Sequence, residues 1–209
     1  MEILDKLFGS AAKVRIMRLF LFNDGENFDI SDISQRMDLD PRVVRREVQL
    51  LEKIGFLRRR IYFKQITRKR GKKIIISRKR TQGWNLEPKF PHIAVLTNLL
   101  INTHLIRHKD ILRKLQSCGK IKLVILAGVF IHEPDSRVDI LIVGDNLKRG
   151  RIVDVIRSIE ITIGKELKYA SFETADFNYR NSMYDKLIRD ILDYRHEIIV
   201  DKLGIKVAH

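Results

Sequence analysis

FDISDISQRMDLDPRVVRREVQLLEKIGF, residues 28–56, decides how the first half of this chain folds. It reads as two helices joined by a short turn. Asp29 suits the N-cap of the first, with Asp32 three residues on as a capping-box variant. Asp40 suits the N-cap of the second, Pro41 its first helical position and Gly55 its end. At about 100° per residue, Val44, Val48, Leu51 and Ile54 share one face of that second helix. Arg42, Arg45, Arg46, Gln49 and Lys53 share the opposite face. One side is built to pack on a core. The other offers cations and an amide, the groups that reach base edges and phosphates in a DNA major groove. A solvated basic face has the same spacing, so the helix pair alone does not decide between the two.

The residues that follow shift the balance. From Lys53 to Leu86 the chain contains no Asp or Glu, while Arg58, Arg59, Arg60, Lys64, Arg68, Lys69, Arg70, Lys72, Lys73, Arg78, Lys79 and Arg80 all fall in that gap. They alternate with Ile61, Phe63 and Ile66, then with Ile74, Ile75 and Ile76. Gly71 separates the two runs, which predicts a β-hairpin with a basic tip, TRKRGKK. Helix, extended Phe28, helix, turn, helix and hairpin resemble the winged helix-turn-helix family over roughly residues 7 to 86. That resemblance implies double-stranded DNA as partner and a homodimer reading two half-sites about one helical turn apart. It puts Arg42, Arg45, Arg46 and Gln49 in the major groove. Arg60, Arg68, Lys69, Arg70, Lys72 and Lys73 would meet the minor groove or phosphates. Of these, Arg46 is expected to carry sequence preference and Lys69 to contact phosphate on any sequence.

Composition agrees with that partner. The net charge is +15 over 209 residues, and it is uneven. Residues 1–90 hold 22 Lys and Arg against 11 Asp and Glu, whereas residues 91–209 hold 19 against 15. A basic excess confined to one region is a nucleic-acid footprint. No Trp- or Phe-rich basic helix accompanies it, which argues against a membrane surface. The single Cys118 excludes an internal disulfide framework. With acidic Glu2 and Asp5 at the start and no long apolar run, a cytoplasmic, nucleoid-associated protein is expected, with no membrane partner.

Outward from the core stretch, Leu7 to Phe22 is expected as one opening helix, capped by Ser10. Trp84 is expected to anchor the hairpin, and 86–91 to act as a linker. Ile93–Thr103 and Lys109–Ser117 read as helices of a connector. His104 and His108 have a helical zinc spacing, but no glutamate or thiol partner accompanies them, so no metal and no cofactor is expected. Beyond Lys120 come two strands, Ile121–Ala127 and the RVDILIVGD run. A helix over 147–163, a strand over Glu166–Glu173 and a helix over Ser182–Leu192 follow.

This half resembles a minimal nucleotidyltransferase domain. The family pattern is a Gly-Ser turn after one strand, an Asp-x-Asp pair on the next and a third carboxylate beyond, together holding Mg²⁺ and a nucleotide. The chain keeps Gly128 but has Val129 at the serine and Arg137 at the first aspartate. Only Asp139 is acidic, and the third strand offers a carboxylate only at Glu173. A guanidinium where a cation should bind implies a domain without transferase activity, so no catalytic residue is assigned. It is left for dimerisation, for sensing a nucleotide or small ligand without turning it over, or for a protein contact at the apolar 128–131 turn. Arg137 and Asp139, two apart, are expected to pair. Asp135 and Asp145 are the remaining turn carboxylates.

The expected architecture is therefore mixed, α+β with an α/β second half. A winged helix-turn-helix would occupy 1–88, a helical connector 89–118 and a nucleotidyltransferase-like domain 119–209. The expected function is a sequence-specific duplex-DNA-binding transcriptional regulator. The alternatives are an active, antitoxin-like nucleotidyltransferase, or an architectural or RNA-binding protein without sequence preference.

Overall fold

The computed structural model describes residues 3–70, 73–102, 106–133 and 135–205, with backbone alone at 67–70, 73–75 and 102. Among these the chain is mixed α and β, with nine α-helices and two sheets. It divides into two compact units. One comprises Met1–Thr103 with Ile163–Lys165, the other His104–Thr162 with Glu166–His209. Residues 89–118, expected as a separate connector, are thus shared between the two.

The first unit opens with α1, Ile3–Leu7, and α2, Ala11–Phe22. The single helix expected over 7–22 is interrupted because Gly9 adopts a left-handed φ of 72°. Ser10 then starts a new helix, its hydroxyl accepting from the Lys13 amide at 3.2 Å. Helix α3, Ile30–Met37, carries the full capping box: Asp29 accepts from the Asp32 amide, and Asp32 accepts from the Asp29 amide. Helix α4, Pro41–Lys53, is capped by Asp40, which accepts from the Arg42 amide at 2.7 Å. Val44, Val48 and Leu51 are buried with Ile16, Phe20 and Ile33 in one core. Ile54 is the exception to its predicted face and stands exposed. It is the C-cap residue, and the turn through Gly55 (φ 79°) sends Phe56 into the core in its place.

Two antiparallel strands follow, β1 (Leu57–Arg70) and β2 (Lys73–Leu86), in unbroken register from Leu57 opposite Leu86 to Arg70 opposite Lys73. At ~3.3 Å per residue this is a ribbon roughly 45 Å long. Phe28 bridges to Trp84 and adds a one-residue third strand at its base. Helix α5, Ile93–Thr97, then runs into one π turn, Asn98–Asn102, where a straight helix was expected. Leu100 is buried there, and its carbonyl accepts from the buried Arg18 Nε at 3.0 Å.

The second unit begins with α6, His108–Leu115, and continues with β3 (Lys120–Leu126) and β4 (Ile140–Asp145). Next come α7 (Arg149–Ile163), β5 (Tyr169–Glu173), α8 (Thr174–Ser182), α9 (Lys186–Asp193) and β6 (Glu197–Asp201). The sheet order is β5-β4-β3-β6. β4 and β5 are parallel, as the intervening α7 crossover requires, and the other pairs are antiparallel. Leu123, Ile125, Leu141 and Val143 of the sheet pack with Phe177, Ile188 and Ile191. The helix expected over 182–192 begins only at Lys186, as α9, because Tyr184 turns left-handed (φ 54°) and Asp185 caps α9 through the Leu187 and Ile188 amides; α8 ahead of it was not anticipated. The closing strand β6 was not anticipated. Glu197–Asp201 is too short for its alternation to stand out.

Candidate nucleic-acid interface

Helix α4 presents Arg42, Arg45, Gln49 and Lys53 to solvent on the side away from the core. Its inner stripe contains a surprise, the buried carboxylate of Glu47. Residues 44, 47, 48 and 51 recur at helical spacing, so the chain's own period carries Glu47 inward. The Ser10 hydroxyl donates to it at 3.1 Å, and Lys13 lies 3.8 Å away. Arg46 donates to it at 3.0 Å. Arg46 is therefore exposed but already engaged, which weakens the expectation that its guanidinium alone reads a base. Arg42 and Arg45 carry no ion pair among the described residues.

The ribbon is clamped to the helices at two points. At its base, Glu52 of α4 accepts from the Trp84 indole at 2.9 Å and from Arg59 at 3.0 Å. The Arg59 guanidinium is the main influence holding the Glu52 carboxyl below its ordinary range; burial opposes it and the indole assists. Trp84 thus anchors the hairpin, as its position predicted. Further out, Lys64 reaches both Asp29 (2.8 Å) and Asp32 (2.5 Å) at the start of α3, and the Tyr62 hydroxyl donates to Asp32 at 3.3 Å. Gly83 is needed at this junction, since a Cβ there would stand 2.6 Å from the Phe28 carbonyl oxygen.

Between α3, the start of α4 and the ribbon base lies a cleft of about 560 Å³, lined by Ser31, Ser34, Gln35, Pro41, Arg45, Gln82 and Trp84, among others. Arg60, Arg78, Lys79 and Arg80 stand exposed on the ribbon. The backbones of Arg68, Lys69, Arg70 and Lys73 lie in the two strands, but their side chains, and Lys72 entirely, fall outside the described residues.

In the second unit the expected Arg137–Asp139 pair does not form. Arg137 pairs with Asp190 of α9 at 2.6 Å. Asp139 is buried and accepts from two backbone amides, Val129 at 2.8 Å and Lys168 at 2.7 Å. Gly128 (φ 53°) lies directly against it, leaving no room for a Cβ beside the Asp139 carboxylate. Val129 is buried too, whereas Phe130 and Ile131 of the same apolar turn are half-buried. Glu173 accepts from the Asn146 and Leu147 amides ahead of α7. Asp145 lies 3.6 Å from Lys122. Asp135 and Arg137 line a separate cleft of about 580 Å³ with Lys186, Tyr194 and Arg195. His108 sits 3.4 Å from Glu197, and His104 falls outside the described residues. Cys118 is buried, which pushes its thiol up.

Among the described residues, no three His, Cys, Asp or Glu side chains gather as metal ligands. Within the same residues, no helix is long and apolar enough to cross a membrane. Comparison with protein-family models, curated proteins and solved structures found no match.

Proposed function

We propose that the chain is a duplex-DNA-binding regulator of the winged helix-turn-helix kind, with α4 as recognition helix and the β1–β2 ribbon as wing. The observation that carries this reading is one surface. The exposed cations of α4 adjoin, across the Arg45–Gln82 cleft, a ribbon in a stretch without a single carboxylate. Phosphates satisfy such a surface, and Arg45 and Gln49 have the donors to read base edges. Arg42 and Arg45 replace Arg46 as the leading base-reading side chains, because Arg46 is held by Glu47.

The second unit, on this reading, is a nucleotidyltransferase-like domain without transferase chemistry. Asp139 supports that view. Both its oxygens are taken up by backbone amides, so the carboxylate holds a turn together. The unit serves dimerisation or ligand binding.

Selection from a random double-stranded pool at physiological salt tests the reading. An enriched inverted repeat is expected, with Arg45→Ala relaxing preference at one position by about 1–3 kcal/mol. Tight binding with no enriched motif would favour an architectural role. Absence of duplex binding would end the proposal.

A further inference from the structure

The ribbon has one face that its packing does not explain. Ile61, Phe63 and Ile76 are 62%, 70% and 66% exposed. The register places all three on one side: Phe63 opposes Arg80, Ile61 opposes Gln82, and Ile76 opposes Thr67. Arg78, opposite Gln65, shares that side. An apolar stripe left open on a two-stranded ribbon marks a contact surface.

Charge decides what covers it. A second copy laid face to face would bring arginines against arginines, with no carboxylate on either ribbon to offset them. A polyanion has no such conflict. The same side of the ribbon, through Gln82, lines the cleft that holds Arg45, so it is continuous with the cationic face of α4. Phe63 lies four residues beyond Arg59, roughly 13 Å past the Glu52 anchor at strand spacing. A duplex seated on α4 offers its neighbouring groove about half a helical turn away, roughly 17 Å.

We propose that this face is a minor-groove wedge. Phe63, with Ile61 beside it on the same face, enters between stacked base pairs and bends the duplex, while Ile76 lies further out beyond the Gln65–Arg78 pair. Arg78 and Arg80 hold the phosphates on either side. Apolar side chains on minor-groove proteins insert in this way, and the bend lets more protein surface meet the DNA. The inference rests on the DNA-binding reading and adds to it a site and a mode of deformation.

The full chain is tested on duplexes of about 30 base pairs carrying 2-aminopurine at successive steps and a dye at each end. Binding is expected to raise 2-aminopurine fluorescence at one step and to shorten the end-to-end distance. Phe63→Ala, at an exposed position, is expected to keep its circular dichroism and bind within about tenfold of the parent, yet lose both signals. Phe63→Leu is expected to retain them. Duplex binding by the parent without unstacking or shortening overturns the wedge and leaves the DNA-binding reading standing. So does equal bending by Phe63→Ala. Failure of the parent to bind any duplex overturns both. Preference for single-stranded RNA that depends on Phe63 overturns the wedge in favour of a base-stacking platform.

Discussion

Glu47 sits where the helical stripe of α4 calls for an apolar side chain, and it survives there because Ser10, Lys13 and Arg46 converge on it. A buried carboxylate with cationic partners is costly to strip. Its removal takes the acceptor from Arg46 and the Ser10 hydroxyl, and the counter-charge from Lys13, whose ammonium still donates to the Phe8 carbonyl. Glu47→Ala is expected to lower stability by about 3 kcal/mol, read as a shift in the urea midpoint. Glu47→Gln keeps an acceptor for Ser10 and should lose less. Asp139 makes the same point in the second unit. In Asp139→Asn one accepting oxygen becomes an NH₂ that faces a backbone amide, so a loss of about 1–3 kcal/mol is expected in thermal unfolding. The sequence singled out Asp139 but not its role. Spacing along a strand tells which side a residue leaves from, and it says nothing of amides 10 and 29 residues away. Glu47 was not singled out at all: its partner Ser10 lies 37 residues upstream.

At the scale of elements, caps and turns were legible because they are local. Asp29, Asp40, Ser10 and Gly55 do what their positions announce. What fastens one element to another was legible only at Trp84, not in its partner Glu52, and the Lys64 clasp is the clearest case of what stayed hidden. Burial raises the Asp29 carboxyl, but the Lys64 ammonium and the Asp32 and Ser31 amides outweigh it and hold the group low. Its contribution is therefore complete above an unfolded value near 3.9 and is lost as pH falls through the folded value. Burial lowers the Lys64 ammonium, but Asp29 and Asp32 outweigh it and raise the group, so its contribution disappears at the alkaline end. Tyr62, pushed up to about 12 by burial and then by the Asp32 and Asp29 carboxylates, acts in the same direction. Its neutral phenol stabilises the fold below an unfolded value near 10, and that contribution is lost as pH rises through the folded one. Lys64→Met is expected to cost about 1 kcal/mol at pH 7. The deficit against the parent should shrink in acid, where Asp29 is neutral, and in strong alkali, where Lys64 itself is uncharged. Denaturant titrations at acidic, neutral and alkaline pH read all three conditions.

For the molecule as a whole, the uneven charge makes a prediction that separates local contact from general attraction. If the net charge of +15 merely drew in polyanions, removing any cation would weaken binding alike. Counterion release works differently. Only cations that touch phosphates release counterions, each changing the slope of log K against log salt by about 0.9. Exposed charges that make no contact are screened within about 8 Å at physiological ionic strength. Arg42→Ala and Arg80→Ala remove charge from the proposed surface, whereas Lys186→Ala removes the same charge from the cleft of the second unit. The first two should each flatten the salt slope by about one. The third should leave slope and affinity unchanged, and titrations of labelled duplex at several salt concentrations measure all three. An equal effect from Lys186→Ala would move the footprint off the first unit. The bias that points there, an acid-free stretch from Lys53 to Leu86, was open to reading from composition alone. The surface it creates depends on Phe56, Trp84 and Glu52 fixing the ribbon beside α4, which composition does not encode.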